Sequence, residues 1–162
     1  MKRRICVFLL ILMATALCAC TKTEPGGTDI MNTAIPEVIK PAPVLVIEVN
    51  GKFFYANLED NSSAKALIEK LNPGPITVDM HDYGSFEKVG SLPWELPRND
   101  ERITTVPGDI ILYQGNQITI YYDENTWSFT RLARIGNITR DELLSALGSG
   151  DVSVTFYLEW GE

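Results

Sequence analysis

The residues of this chain that could carry chemistry are a cysteine behind a short apolar run, a lone histidine, and a set of aromatic side chains around a Glu-Lys pair. Cys6, Cys18 and Cys20 all fall within the first twenty residues. The remainder therefore has no thiol for disulfides, nucleophilic catalysis or a cysteine zinc site. His81 is the single histidine. Without a Gly-x-Ser-x-Gly elbow to seat a serine beside it, His81 reads as a polar strand residue. Asp79 and Asp82, Asp100 and Glu101, and Asp123 and Glu124 are neighbouring carboxylates, but turns or polar strand faces account for each pair. There is no Gly-rich phosphate loop, metal-ligand cluster or nucleotide fingerprint, so neither a metal nor a cofactor is expected.

Two groups remain. Tyr83, Phe86, Glu87, Lys88 and Trp94 lie in a stretch, Asp82 to Asp100, where regular periodicity fails. Aromatic walls with one charged pair suit a peptide or small ligand. The same rings could instead seal the mouth of a barrel, leaving Glu87-Lys88 a solvated pair. Trp127, Phe129 and Arg131 alternate along a second run; Arg131 could serve a site, or pair with a surface carboxylate.

The elements that must position these groups are mainly strands. Pro107 to Gly136 holds three β-rich runs broken by Gly115-Asn116 and Asp123-Glu124-Asn125, the pattern of consecutive hairpins. Val44–Val49 and Lys52–Leu58 flank Asn50-Gly51, a strong hairpin signal. Ala64, Leu67, Ile68 and Leu71 recur at helical spacing behind Asn61, Ser62 and Ser63, which can cap, and Asn72-Pro73-Gly74-Pro75 ends the helix. Ile76, Val78 and Met80 alternate with polar residues, Arg102 to Val106 is extended, and Thr139 to Glu142 is a capping box opening a second helix. Val152, Val154, Phe156 and Leu158 form a last alternating strand. The tally is about eight strands and two short helices. A closed eight-stranded barrel capped by the helices removes the exposed edges of such a sheet.

The N-terminus reads as an address. Lys2-Arg3-Arg4 precedes an apolar segment, Ile5 to Leu17, short for a membrane span and suited to a signal peptide over residues 1–19. Leu17-Cys18-Ala19-Cys20 resembles a bacterial lipobox, with the small Ala19 placing Cys20 as the acylated residue. Two or three acyl chains would anchor the protein to a membrane. Thr21 after the cysteine favours the outer membrane of a diderm, or the outer face of the cell membrane in a monoderm. Residues 20–43, rich in Pro and Gly, read as a tether, and 44–162 as the folded domain. The net charge is −7, and losing the basic leader makes the rest more acidic still. Such a domain repels phosphate backbones, so nucleic acid is not an expected partner.

Taken together, Asn50-Gly51, Leu58 to Ala64, Asp82-Tyr83-Gly84, Glu87-Lys88, Leu96-Pro97, Pro107-Gly108-Asp109, Gly115-Asn116-Gln117, Trp127 to Leu132 and Gly148 to Val152 resemble the small bacterial and archaeal cyclophilin-like domain. The resemblance covers Val44 to Trp160 and implies an eight-stranded cyclophilin-type barrel capped by two helices. Conventional cyclophilins carry a Phe-His-Arg stretch whose Arg polarises the prolyl nitrogen. Here the comparable stretch is Asp79-Met80-His81-Asp82-Tyr83, without an arginine. The resemblance thus implies the fold, with binding of a peptide or small ligand and no catalysis. The alternatives are a weak prolyl isomerase that uses Arg131 as its donor, and a scaffold whose barrel engages a partner protein.

Overall fold

The computed structural model describes residues 41–161. The expected signal peptide, the acylated Cys20 and the tether up to residue 40 lie outside the described residues. Strands β1 (Pro43–Val49) and β2 (Lys52–Leu58) form the first hairpin. Its turn residues Asn50 and Gly51 have φ of 49° and 72°. Two left-handed residues in succession twist the turn to match its strands, which is why Asn-Gly suits it.

Helix α1 (Ser62–Leu71) begins where the Asn61 side chain accepts a hydrogen bond from the Ala64 N–H at 2.8 Å, and its Leu67 and Leu71 are buried. There follow β3 (Ile76–Tyr83), β4 (Glu87–Ser91), β5 (Glu101–Thr104), β6 (Asp109–Tyr113), β7 (Gln117–Tyr121) and β8 (Thr126–Ile135). Helix α2 (Arg140–Leu147) opens on the anticipated capping box of Thr139 and Glu142, and β9 (Val152–Trp160) follows it.

Eight strands close in the order β2-β1-β9-β3-β4-β7-β6-β8, with β8 pairing back onto β2 through Ala56↔Ile135 to Leu58↔Ala133. All pairings are antiparallel, and closure leaves the ring without a free edge. The expected eight-stranded barrel is therefore present, but its pairing and membership differ from the sequence expectation. Of the consecutive hairpins expected through Pro107 to Gly136, β6–β7 forms, whereas the chain reversing at Asp123-Glu124-Asn125 does not pair β8 with β7; β8 crosses to the other side of β6. Glu87–Ser91, which fell in a stretch without periodicity, is a barrel strand between β3 and β7. Its first four residues are all buried, so hydrophobic alternation, the usual strand signal, is missing from EKVGS. The extended run from Arg102, in turn, is no barrel member. As β5 it pairs only with the first half of β8, Glu101↔Phe129 to Thr104↔Thr126.

Inward residues such as Leu45, Ile47, Met80, Ile110, Ile118 and Phe156 fill the barrel together with the apolar faces of both helices. α2 meets the β1–β2 turn, where Asn50 Nδ2 donates to the Ala146 carbonyl at 2.8 Å. α1 follows the far end of β2, so the two helices cover opposite ends. Leu92, Trp94 and Leu96, beyond β4, pack against the main core, not around a ligand cleft. A second cluster, Ile111, Tyr121 and Phe129, lies apart from the main core, on the outward faces of β6, β7 and β8.

Candidate functional site

On β4 the side chains of Glu87 and Val89 point out of the barrel, while Lys88 and Gly90 point in. The register makes this explicit: Lys88 and Gly90 face the core residues Ile120 and Ile118, and Glu87 faces Tyr121 of the outer cluster. Glu87 also lies directly opposite Tyr83 on β3. One carboxyl is thus flanked in register by a tyrosine on each side. Phe86 packs edge-on to Tyr83 (6.1 Å between centroids) and stacks on Tyr121 (6.0 Å). Tyr121 contacts Phe129 at 5.6 Å, and Phe129 contacts Tyr113 at 6.3 Å.

These side chains surround a pocket of about 350 Å³ lined by His81, Tyr83, Glu87, Val89, Tyr113, Gln117, Tyr121, Asn125, Trp127 and Phe129. A second hollow of about 390 Å³ shares His81, Val89 and Gln117 with it and extends it over Asp79 and Ser91. A wider hollow of about 720 Å³ between β2 and α2 is the less persuasive site. Its polar groups already serve one another: Lys52 Nζ donates to Ser145 Oγ at 2.9 Å, and Glu142 closes the capping box with Thr139.

Of the residues expected at the site, Tyr83, Glu87, Trp127 and Phe129 meet in the outer-wall pocket, with Phe86 stacked behind Tyr121. Trp94 lies on the main core. Lys88 is fully buried on the opposite face, where its Nζ pairs with Asp82 Oδ2 at 2.8 Å and donates to the Gly150 carbonyl at 2.6 Å. The pair Glu87-Lys88 is therefore split across the strand, and neither charge is solvated. Asp82 also accepts from the Tyr122 hydroxyl at 2.9 Å. Burial, together with the Asp82 carboxylate beside it, pushes that hydroxyl up to about 12.

Arg131 does not line the pocket. It sits where β8 bulges, with Ile110↔Ala133 followed by Ile111↔Arg131. Its Nε lies 3.1 Å from Oδ1 of the fully buried Asp109, and its outer nitrogen is 3.9 Å from Glu59. Asp109 also binds Arg134 at 2.6 Å and accepts from the Val106 N–H at 3.0 Å. The guanidinium is one arm of a buried ionic cluster.

Glu87 is only 7% exposed, and its Oε2 has no hydrogen-bond partner among the described residues. Burial raises its carboxyl above the ordinary glutamate range, against the opposing pull of the Tyr121 and Thr119 hydroxyls and of His81. The Tyr121 hydroxyl is likewise raised, by burial first and by Glu87 second. Its oxygen accepts from Asn125 Nδ2 at 3.4 Å.

A family model for the cyclophilin-like family matches residues 47–157, most of the strands and both helices. With the closed barrel in place, that match decides the family. The chain belongs to the cyclophilin-like family. Neither the curated proteins nor the solved structures gave a match. In this cyclophilin-like domain, sequence reasoning missed Tyr113, Gln117, Tyr121, Asn125 and Val89 as pocket residues, and read His81 only as a polar strand residue. A signal was present in β7, where Gln117, Thr119 and Tyr121 alternate with the inward Ile118 and Ile120.

Proposed function

We propose that this protein is an envelope lipoprotein whose cyclophilin-like domain holds a short peptide or small ligand in the outer-wall pocket without turning it over. The observation that carries this reading is the pocket's lining: five aromatic rings, and neither lysine nor arginine. Rings bind apolar segments, and the adjoining hollow lengthens the site along β3, β4 and β7 for an extended chain. Prolyl isomerisation must lower a barrier of roughly 18–20 kcal/mol, with a donor that grips harder as the amide twists. Arg131, the candidate donor, is engaged by Asp109 and Glu59.

Calorimetric titration of the full-length protein with N-acetyl-Ala-Ala-Pro-Ala-amide, alongside exchange NMR of the peptide's cis and trans forms, tests this. Saturable binding with no faster exchange is the expected result. Acceleration abolished by Arg131→Ala would overturn the non-catalytic reading. The anchor is inferred from Ala19-Cys20 and is tested separately. Labelled palmitate should enter the wild type and not Cys20→Ser, and the variant should leave the membrane fraction. An unlabelled wild type would remove the lipoprotein half of the proposal.

A further inference from the structure

We propose that the outer-wall pocket selects a protonated primary amine, such as a lysine side chain, held between Glu87 and the surrounding aromatic faces. This inference rests on the binding reading above and names the class of ligand. A buried carboxylate needs an ionic or hydrogen-bonding partner, because leaving one of its oxygens bare costs much of its lost hydration. Glu87 has no such partner at Oε2 among the described residues. Its sequence neighbour Lys88 points into the barrel and is committed to Asp82 and Gly150. His81 is the single lining residue able to carry positive charge, and it stands one rung along, opposite Val89. Among the described residues no lysine or arginine lines the pocket to supply a full cation for the carboxylate.

The surroundings favour that visitor. Aromatic faces attract ammonium groups within about 6 Å of a ring centroid, and more strongly where water is excluded. Tyr83 and Trp127, 60% and 58% exposed, stand at the rim, where their rings can turn to cover an entering side chain. Oε2 of the carboxyl is buried and without a hydrogen-bond partner among the described residues. One unpartnered buried oxygen suits the point donor of an ammonium, whereas the planar fork of a guanidinium is matched to two. The chain's net charge of −7 draws cations toward the domain.

The test is calorimetric titration of the full-length protein, solubilised in detergent, with three peptides. These are N-acetyl-Ala-Lys-Ala-amide, the same peptide with norleucine in place of lysine, and the same with arginine. The lysine peptide should bind about tenfold tighter than its norleucine counterpart, with arginine between them. Glu87→Gln should abolish that preference while still binding norleucine. Trp127→Leu, at an exposed position that leaves the core intact, should weaken the lysine peptide severalfold. Equal affinity for lysine and norleucine, or a preference that survives Glu87→Gln, overturns the amine assignment and leaves the binding reading standing. Failure of all three peptides and of the proline peptide overturns both.

Discussion

Glu87 and Lys88 are adjacent residues of opposite charge, both buried, on one strand, and the barrel wall gives them opposite fates. The inward lysine has a carboxylate at 2.8 Å and a carbonyl at 2.6 Å. The outward glutamate has an oxygen with no partner among the described residues and a pocket beside it. A buried charge that is paired explains itself within the fold. A buried charge that is not paired is a standing cost, and its location in an aromatic pocket assigns that cost to binding.

The comparison can be broken most forcefully from the inward side. Asp82→Ala strands the Lys88 ammonium in the barrel and should lower stability by about 3 kcal/mol, read from the urea midpoint at constant slope. Lys88→Met removes both the charge and its need for a partner; it should stay within about 1 kcal/mol of the wild type or exceed it. If Lys88→Met proved as damaging as Asp82→Ala, the ion pair would be an asset in itself, and the contrast with Glu87 would fail.

Gly90, two residues further on the same inward face, has no room for a side chain. A Cβ there would meet Val78 Cγ1 at 2.5 Å and the Asp79 carbonyl oxygen at 2.6 Å. Gly90→Ala should cost about 2 kcal/mol by chemical denaturation.

The outward side should respond in the other direction. Glu87→Gln keeps the shape and discards the charge, and at pH 8 it should raise stability by about 1 kcal/mol. Its pH dependence has a definite sign. Burial raises the folded-state value above the ordinary 4.5, so the proton on Glu87 contributes stability below that ordinary value and loses it as pH rises through the raised one. The advantage of the variant should accordingly shrink from pH 8 toward pH 4, when thermal midpoints of the two proteins are compared at each pH. A constant difference would mean that the carboxyl is not held high. The smallest effect belongs to Trp127→Leu, which should change stability by no more than about 0.5 kcal/mol, because its ring is largely in solvent.

Much of the barrel was legible from short-range patterns. Asn50-Gly51 specifies its turn through two left-handed torsions, and Thr139 with Glu142 specifies a helix start through two reciprocal hydrogen bonds. Such signals survive in a bare sequence because both partners lie within a few residues of each other. β4 was not legible, since a strand buried on both faces and built from Glu, Lys, Val and Gly shows no alternation.

The amino-acid order alone determined the β1–β2 and β6–β7 hairpins, both helices, the mainly β character of the body and its net acidity, but not the partner of β8. Each follows from local torsions, spacing or composition, and the family resemblance rests on the motifs themselves. Only the tertiary structure decided which way Glu87 and Lys88 face, that Arg131 belongs to the Asp109 cluster, and that Trp94 packs on the core. It alone brought Tyr83, Glu87, Tyr121, Tyr113 and Phe129 together from five strands. The physical reason is register: in a pleated wall, a shift of a single residue exchanges the inner face for the outer, and pairing between distant strands fixes that shift.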